Sequence, residues 1–387
     1  MARAHAKLAP SAAARWLECT AAPALEAGYP DETSIYAEEG TLAHSFAEAA
    51  AKYSTGQAKV GRYKSTLAKL KRQELFSPEM IEHAEAYASN VAELLHAAQK
   101  KTPDAFCDVE VKLDLTEWIP DGFGTADCVI IADDTITVID YKYGKGVAVE
   151  ARKNPQMMIY ALGALTKYSA LYDIELVNME IIQPRLGGMN GWTITADELI
   201  AWAENTLKPA AEEAASGAGK FCPSEQACRF CKARGECRAR ADQIVRVFDE
   251  APELTNTLTN DEIGNLLEKA KDMEAWLKDL KDTAFKKLSD GEQVFGWKLV
   301  EGRSVRKITN ESRVAGRLME YGVPDEVIFP RKLCSITTIE KLLGKKDAAE
   351  ILDGCIEKPK GSPALAPASD KRPEYKLEGA ILDAFDE

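Results

Sequence analysis

No apolar run in this chain approaches the roughly 20 residues that a membrane-spanning helix needs. The Ala-rich, basic start also lacks the hydrophobic stretch of a secretory signal, so the sequence predicts a cytoplasmic protein. An excess of positive charge is missing too: 49 Lys and Arg against 62 Asp and Glu leave a net charge of -13. That balance speaks against a general nucleic-acid coat protein, but leaves room for a local basic groove. The nine cysteines are an odd number without an export signal, which favours metal ligation or buried thiols over disulfides. What is present is an ordinary soluble composition, 45% hydrophobic and 29% charged, in 387 residues. Such a chain can bury a full core and make two domains.

The most informative stretch is GTADCVIIADDTITVIDYKYGKG, from Gly124 to Gly146. β-Branched runs at 125–131 and 136–143 flank the polar break Ala132 to Thr135, which predicts a β-hairpin. Asp127 near the start of one strand and Asp140 near the end of the other can meet at one end of a sheet. Two carboxylates placed so repel each other unless a cation lies between them. Oxygen ligands of that kind suit Mg²⁺ or Mn²⁺. By alternation Asp140 and Lys142 share a face, while Tyr141 points away and leaves its carbonyl near the ion. The Lys142 ammonium could then orient or deprotonate an attacking water and stabilise charge developing on phosphorus. For the tripeptide taken alone, a solvated edge strand is the plainer reading.

The neighbouring segments supply context. Ser11 is expected to cap a helix carrying Arg15, Trp16 and Leu17 that ends near Cys19. Glu38 to Thr41 opens an Ala-rich helix, with Thr41 as its cap and His44 and Glu48 on one face. From Lys52 to Arg72 seven cations occur without one acid, interleaved with Tyr53 and Tyr63. In so acidic a chain this is either a phosphate-contacting surface or a solvated connector. Ser77-Pro78 begins an amphipathic helix, and Asp108 to Leu115 alternates as a strand whose Glu110 falls within reach of the metal end but is expected on the solvated face. Asn154-Pro155 caps a helix carrying Gln156 and Tyr160 one turn apart, where amides and dipole favour an anion such as a DNA phosphate. A strand at 175–183, a loop at Gly187-Gly188 and a capping box at Thr195 to Glu198 follow.

Cys222, Cys228, Cys231 and Cys237 crowd into FCPSEQACRFCKARGEC with a basic flank, which points to a metal centre. Beyond about Ile244 the sequence predicts a long charged helix capped at Thr259, a hairpin at 293–308, and short helices around Arg313 and Ile339. Residues from about 357 read as a flexible linker and tail.

Assembled in order, these motifs resemble the RecB-type branch of the PD-(D/E)XK nuclease superfamily, over roughly residues 11–240. The branch carries a histidine on the first helix, an Asp on the second strand, Asp-x-Lys on the third and Q-x-x-x-Y on the next helix. His44, Asp127, Asp140 with Lys142, and Gln156 with Tyr160 match it. The resemblance implies an α/β fold with a restriction-endonuclease-like αβββαβ core, helical additions and a smaller, mostly helical C-terminal domain. It implies that His44, Asp127, Asp140 and the Tyr141 carbonyl bind Mg²⁺ or Mn²⁺, that Lys142 activates or positions the water, and that Gln156 and Tyr160 hold the strand being cut. The same branch often carries a [4Fe-4S] cluster, whose ligands here would be Cys19, Cys228, Cys231 and Cys237. Cys222 leaves a rival zinc site with the same three downstream thiols. The expected organisation is a nuclease domain at 1–240 with the cysteine knot, an α+β accessory domain at 241–356 and a tail at 357–387. The expected function is a metal-dependent DNA exonuclease of a phage or prophage, acting in recombination or replication, with a single-strand DNA-binding or annealing protein as a further partner. The rival is a non-catalytic DNA-binding or assembly factor.

Overall fold

In the computed structural model, the residues described are 6–30, 34–186, 188–249, 260–300, 311–320, 322, 324–329, 335–352 and 355. The chain divides into two compact units, 1–293 and 294–387.

The first unit starts with α1 (Ala13–Glu18) and α2 (Ala22–Glu26), followed by α3 (Ile35–Ser54), α4 (Val60–Leu70) and α5 (Pro78–Lys101). Then come β1 (Phe106–Asp114), β2 (Phe123–Ile131) and β3 (Thr135–Tyr141), the crossover helix α6 (Pro155–Tyr168), β4 (Leu176–Gln183) and β5 (Gly188–Thr195). The strands form one mixed sheet in the order β1-β2-β3-β4-β5. Its only parallel pair is β3 with β4, and α6 supplies the crossover that a parallel pair requires. The helix starts where the Asn154 side chain accepts from the amides of Gln156 and Met157, with Pro155 in the first turn.

Each sheet face has its own core. On one, α6 packs against Val111, Leu113, Ala126, Val129, Val138 and Ile181, and residues 157–165 of α6 are all buried. On the other, Phe46 of α3 and Met80, Tyr87 and Val91 of α5 cover Val109, Cys128, Ile130, Ile139 and Tyr141. Strict alternation would send Val109 and Val111 to the same face, and likewise Ala126 and Cys128. They part company instead, and the fault in both strands falls on the residue between: Glu110 in β1, at a φ of 61°, and Asp127 in β2.

Several local expectations need correction. Ser11 caps nothing: it lies in a 3₁₀ turn, Pro10–Ala12, and α1 starts without a side-chain cap. Helix α3 begins six residues before Thr41, because Ser34 accepts from the Ala37 amide, and the Thr41 hydroxyl donates instead to the Ala37 carbonyl. The segment after Gly188 is an edge strand, not a loop. The basic block contains a helix, α4, anchored on the α3/α5 core by Tyr63, Leu67 and Leu70.

The capping box of Thr195 and Glu198 opens α7 (Ala196–Trp202), which continues through a π turn at Ala203–Leu207 into α8 (Lys208–Ser216). Pro209 has no amide to donate back along the helix, which accounts for the slipped turn before it. Helices α9 (Glu225–Cys228), α10 (Arg238–Asp249) and α11 (Asn260–Ser289) complete the unit. Asp279 on α11 receives both Arg234 at 2.9 Å and Arg240 at 2.6 Å, so the first compact unit runs past the boundary expected at 240.

The second unit shows α12 (Glu311–Glu320), α13 (Asp325–Ile328), α14 (Ile336–Leu343) and α15 (Lys345–Ile351), in keeping with the short helices expected there. The hairpin expected at 293–308 is not formed in its described part, 293–300, where Gly296 takes a positive φ; the rest of it, the Thr259 cap and the tail from 357 lie outside the described residues. No helix among the described residues is long and apolar enough to cross a membrane.

Candidate active site

Regular pairing of β2 with β3 ends at Cys128 opposite Ile139. One step further the register brings Asp127 opposite Asp140, and on the other side of β2 the pairs Val109–Cys128 and Val111–Ala126 leave Glu110 opposite Asp127. Three carboxylates therefore occupy one row across three neighbouring strands, at the point where the ladder gives out. Two of the three were anticipated. Glu110 falls within reach of the metal end in the sequence reading but is expected on the solvated face, and nothing in the local sequence announces the positive φ that turns this strand. It is half-buried and lines a narrow cleft with His44, Glu48, Tyr87, Asp127 and Tyr141.

The remaining predicted residues join this row by direct contact. His44 comes down from α3 and places Nδ1 3.2 Å from Asp127 Oδ1. The other Asp127 oxygen accepts from the Tyr141 amide at 2.8 Å, so a side chain takes the place that a backbone carbonyl would hold in the ladder. Asp140 and Lys142 share a side, as alternation requires, with Lys142 Nζ 2.9 Å from Asp140 Oδ2. Gln156, the second residue of α6, accepts from Lys142 Nζ at 2.9 Å and donates to Asp140 Oδ1 at 3.2 Å and to the Tyr160 hydroxyl at 3.4 Å. Tyr141 points to the opposite face and is fully buried, against Tyr87 and the edge of the His44 ring. His44, Asp127, Tyr141, Asp140, Lys142, Gln156 and Tyr160 thus form one connected polar cluster drawn from α3, β2, the end of β3 and α6.

The electrostatics follow from burial and pairing. Burial pulls His44 down, but the Asp127 carboxylate more than reverses this and its pKa ends above the usual imidazole value. Asp127 is pushed up by burial, yet the His44 charge and two donated hydrogen bonds bring it below the ordinary carboxylate range. Asp140 moves the other way, raised by burial and by Asp127 in spite of Lys142. Lys142 is held above its usual value because Asp140 outweighs the cost of burial, so it is an ammonium at neutral pH. Only 3% exposed, Asp140 keeps Oδ2 without a well-aligned hydrogen bond despite the nearby ammonium. A buried anionic oxygen in that condition fits a hard cation, as do the carboxylate, imidazole and carbonyl donors around it. Among the described residues, no three His, Cys, Asp or Glu side chains are already arranged to hold a metal ion. His44, the Tyr141 amide and Lys142 take the carboxylate oxygens instead.

The cysteines lie elsewhere in the unit. Cys19 ends α1, Cys228 ends α9, and both are buried together with Cys231, while Cys237 is half-buried and Cys222 exposed. The Cys222 amide donates to the Cys19 sulfur at 3.4 Å. Burial raises the Cys19 and Cys228 thiols, and takes Cys231 to about 11. The N-terminal segment is tied to this region by polar contacts as well. Arg15 reaches the Phe230 carbonyl, Glu26 accepts from the Lys232 amide, and Thr20 bonds Glu213 and the Lys220 amide.

Fold and cluster together define a mixed α/β protein with an imidazole, carboxylates and an amine gathered at one end of its sheet. Residues 5–373 match the model of a family described as a protein of unknown function (DUF2800), and the chain belongs to that family. Among solved structures it is similar to one titled "Crystal structure of SSO0001", with 16% identity over 57% of this chain and 95% of that one and a TM-score of 0.22. A score that low says nothing about a shared fold.

Proposed function

We propose that the protein is a metal-dependent DNA exonuclease with a restriction-endonuclease-like core, of the RecB-type kind that phages and prophages use in recombination or replication. The observation that carries this reading is the row formed by Asp140, Asp127 and the Lys142 ammonium 2.9 Å from Asp140 Oδ2. A core cluster of this composition contributes little to packing and is costly to bury. The order β1-β2-β3-α6-β4 also follows the order that the resemblance implies, with His44 supplied from α3 ahead of it.

In this reading Asp127, Asp140, His44 and the Tyr141 carbonyl would hold Mg²⁺ or Mn²⁺, at oxygens that His44 and Lys142 now contact. Bound there, such an ion would supply positive charge to activate water and offset charge on the phosphate. Lys142, protonated in its present setting, orients the attacking water and stabilises charge on phosphorus. Gln156 fixes Lys142 and Asp140 together, and with Tyr160 it holds the strand near the start of α6. The exposed cations Lys59, Arg62, Lys64, Lys69, Lys71 and Arg72 on and beside α4 form no ion pair among the described residues, and supply a surface for the DNA backbone. Cys19, Cys228, Cys231 and Cys237 would hold a structural [4Fe-4S] cluster. Anaerobically purified protein is then brown, and Cys19→Ser bleaches it while Cys222→Ser does not; colourless protein containing zinc would favour the Cys222 site instead.

The test of the activity is degradation of end-labelled linear DNA with Mg²⁺, compared with the same DNA with covalently closed ends. The reading requires loss of the open-ended substrate, dependent on the ion. Intact DNA under these conditions would leave a non-catalytic DNA-binding or assembly factor.

A further inference from the structure

A second concavity opens beside the acidic row. This groove, of about 720 Å³, is lined by Pro10, Glu110, Lys112, Phe123, Thr125 and Tyr160 among others, and shares Glu48 and Glu110 with the narrow cleft at Asp127. Phe123 and Thr125 stand two apart on β2, and Lys112 is the register partner of Thr125 on β1, so all three present to one side of the sheet. Phe123 is 46% exposed, on the part of β2 that pairs with β1 alone after the pairing with β3 has ended at Cys128. Lys112 is exposed in a groove that also holds Glu48 and Glu110, while Asp114, two residues further along β1, accepts from the amide and hydroxyl of Thr116. Between them Gly124 lets the Tyr160 ring settle on β2; a Cβ there would meet that ring at 2.9 Å.

We propose that this groove is a nucleotide subsite, in which an unpaired base stacks on Phe123 and its phosphate is met by Lys112. The inference rests on DNA being the substrate and extends that reading by making the bound strand single at this point. The geometry suits it. Along β2, Phe123 lies about 13 Å from Asp127 at about 3.3 Å per residue. A strand whose scissile phosphate sits at the acidic row therefore runs past Thr125 before its neighbouring base reaches the ring. A phenylalanine face accepts any base, because each has a π-face, but only once that base has left its duplex partner. The groove therefore selects single strands or frayed ends without reading sequence.

The test is binding of a fluorescein-labelled single-stranded oligonucleotide, and of the matching blunt duplex, to the full chain in EDTA, followed by anisotropy. Phe123→Ala is expected to weaken single-strand binding about tenfold, to leave duplex binding unchanged, and to be rescued by Phe123→Trp. Lys112→Ala is expected to flatten the salt dependence by about one phosphate contact. Thermal melts of each variant show whether the fold is kept. Equal single-strand binding by the wild type and Phe123→Ala, or an equal loss for both DNAs, or no binding at all, would overturn the subsite. The readout needs no ion and no cleavage. Stacking on Phe123 without any hydrolysis would keep the groove and sink the nuclease, whereas hydrolysis with an unchanged KM in Phe123→Ala would do the reverse.

Discussion

Glu110 faces Asp127 across β1 and β2, and holds that place with a backbone φ of 61°. An L-residue pays about 1 kcal/mol for the left-handed region, and such outliers gather at functional sites. Glycine at 110 is therefore predicted to be more stable than alanine by about 1 kcal/mol, the reverse of the order in an ordinary strand. Urea midpoints of Glu110→Gly and Glu110→Ala measure this. If the site uses the carboxylate, both variants also lose hydrolytic rate, although only one of them is strained.

The Lys142–Asp140 pair makes a second prediction. With Asp140 3% exposed, removing the ammonium leaves a buried carboxylate without its counter-charge. Lys142→Ala should cost about 3 kcal/mol in chemical denaturation. The double variant Asp140→Asn/Lys142→Met, which removes both charges, should recover most of that loss while staying inactive. A single variant as stable as the wild type would mean that the ammonium does not neutralise Asp140.

Much of this site was readable because it lies on regular elements. The polar break between β2 and β3, the Asn154 cap and the Thr195 box are local signals, and each opened or closed its element where expected. Alternation put Asp140 and Lys142 on one side, and the structure keeps them there. What escaped was set by tertiary contacts. Glu110 looks like a solvated residue between two valines, and only the change of face at that position brings it to Asp127. Strand β5 has glycine and asparagine where a strand prefers branched residues, and is held as an edge by β4 alone. Ser34, not Thr41, caps α3: either hydroxyl could do so by residue type, and the Thr41 hydroxyl lies within the helix, donating to the Ala37 carbonyl.

Glu180 offers a pH test away from the cluster. It lies on β4 with its carboxylate over Gly191, its register partner, and burial raises its pKa. A carboxylate raised in the folded state costs nothing below its unfolded value of about 4.5, where both states are protonated, and destabilises the fold once pH exceeds its folded value. Glu180→Gln should therefore raise the thermal midpoint at pH 7 and leave it unchanged at pH 4. A gain of equal size at both would assign the effect to packing.

The basic helix α4 predicts a salt effect. If Arg62, Lys64 and Lys69 each neutralise a phosphate, replacing all three by alanine should lower the slope of log affinity against log salt by roughly 2 to 3. Stability should hardly change, since all three side chains are exposed. An unchanged slope would return α4 to the role of a solvated helix.

The central claim, that Lys142 and the two aspartates act together on a phosphodiester, is met most directly by single-turnover cleavage of labelled linear DNA at saturating Mg²⁺. Wild type is predicted to cleave, and Asp127→Asn, Asp140→Asn and Lys142→Ala each to fall by several orders of magnitude while still binding the DNA. Cleavage by Lys142→Ala or Asp140→Asn at the wild-type rate would contradict the account.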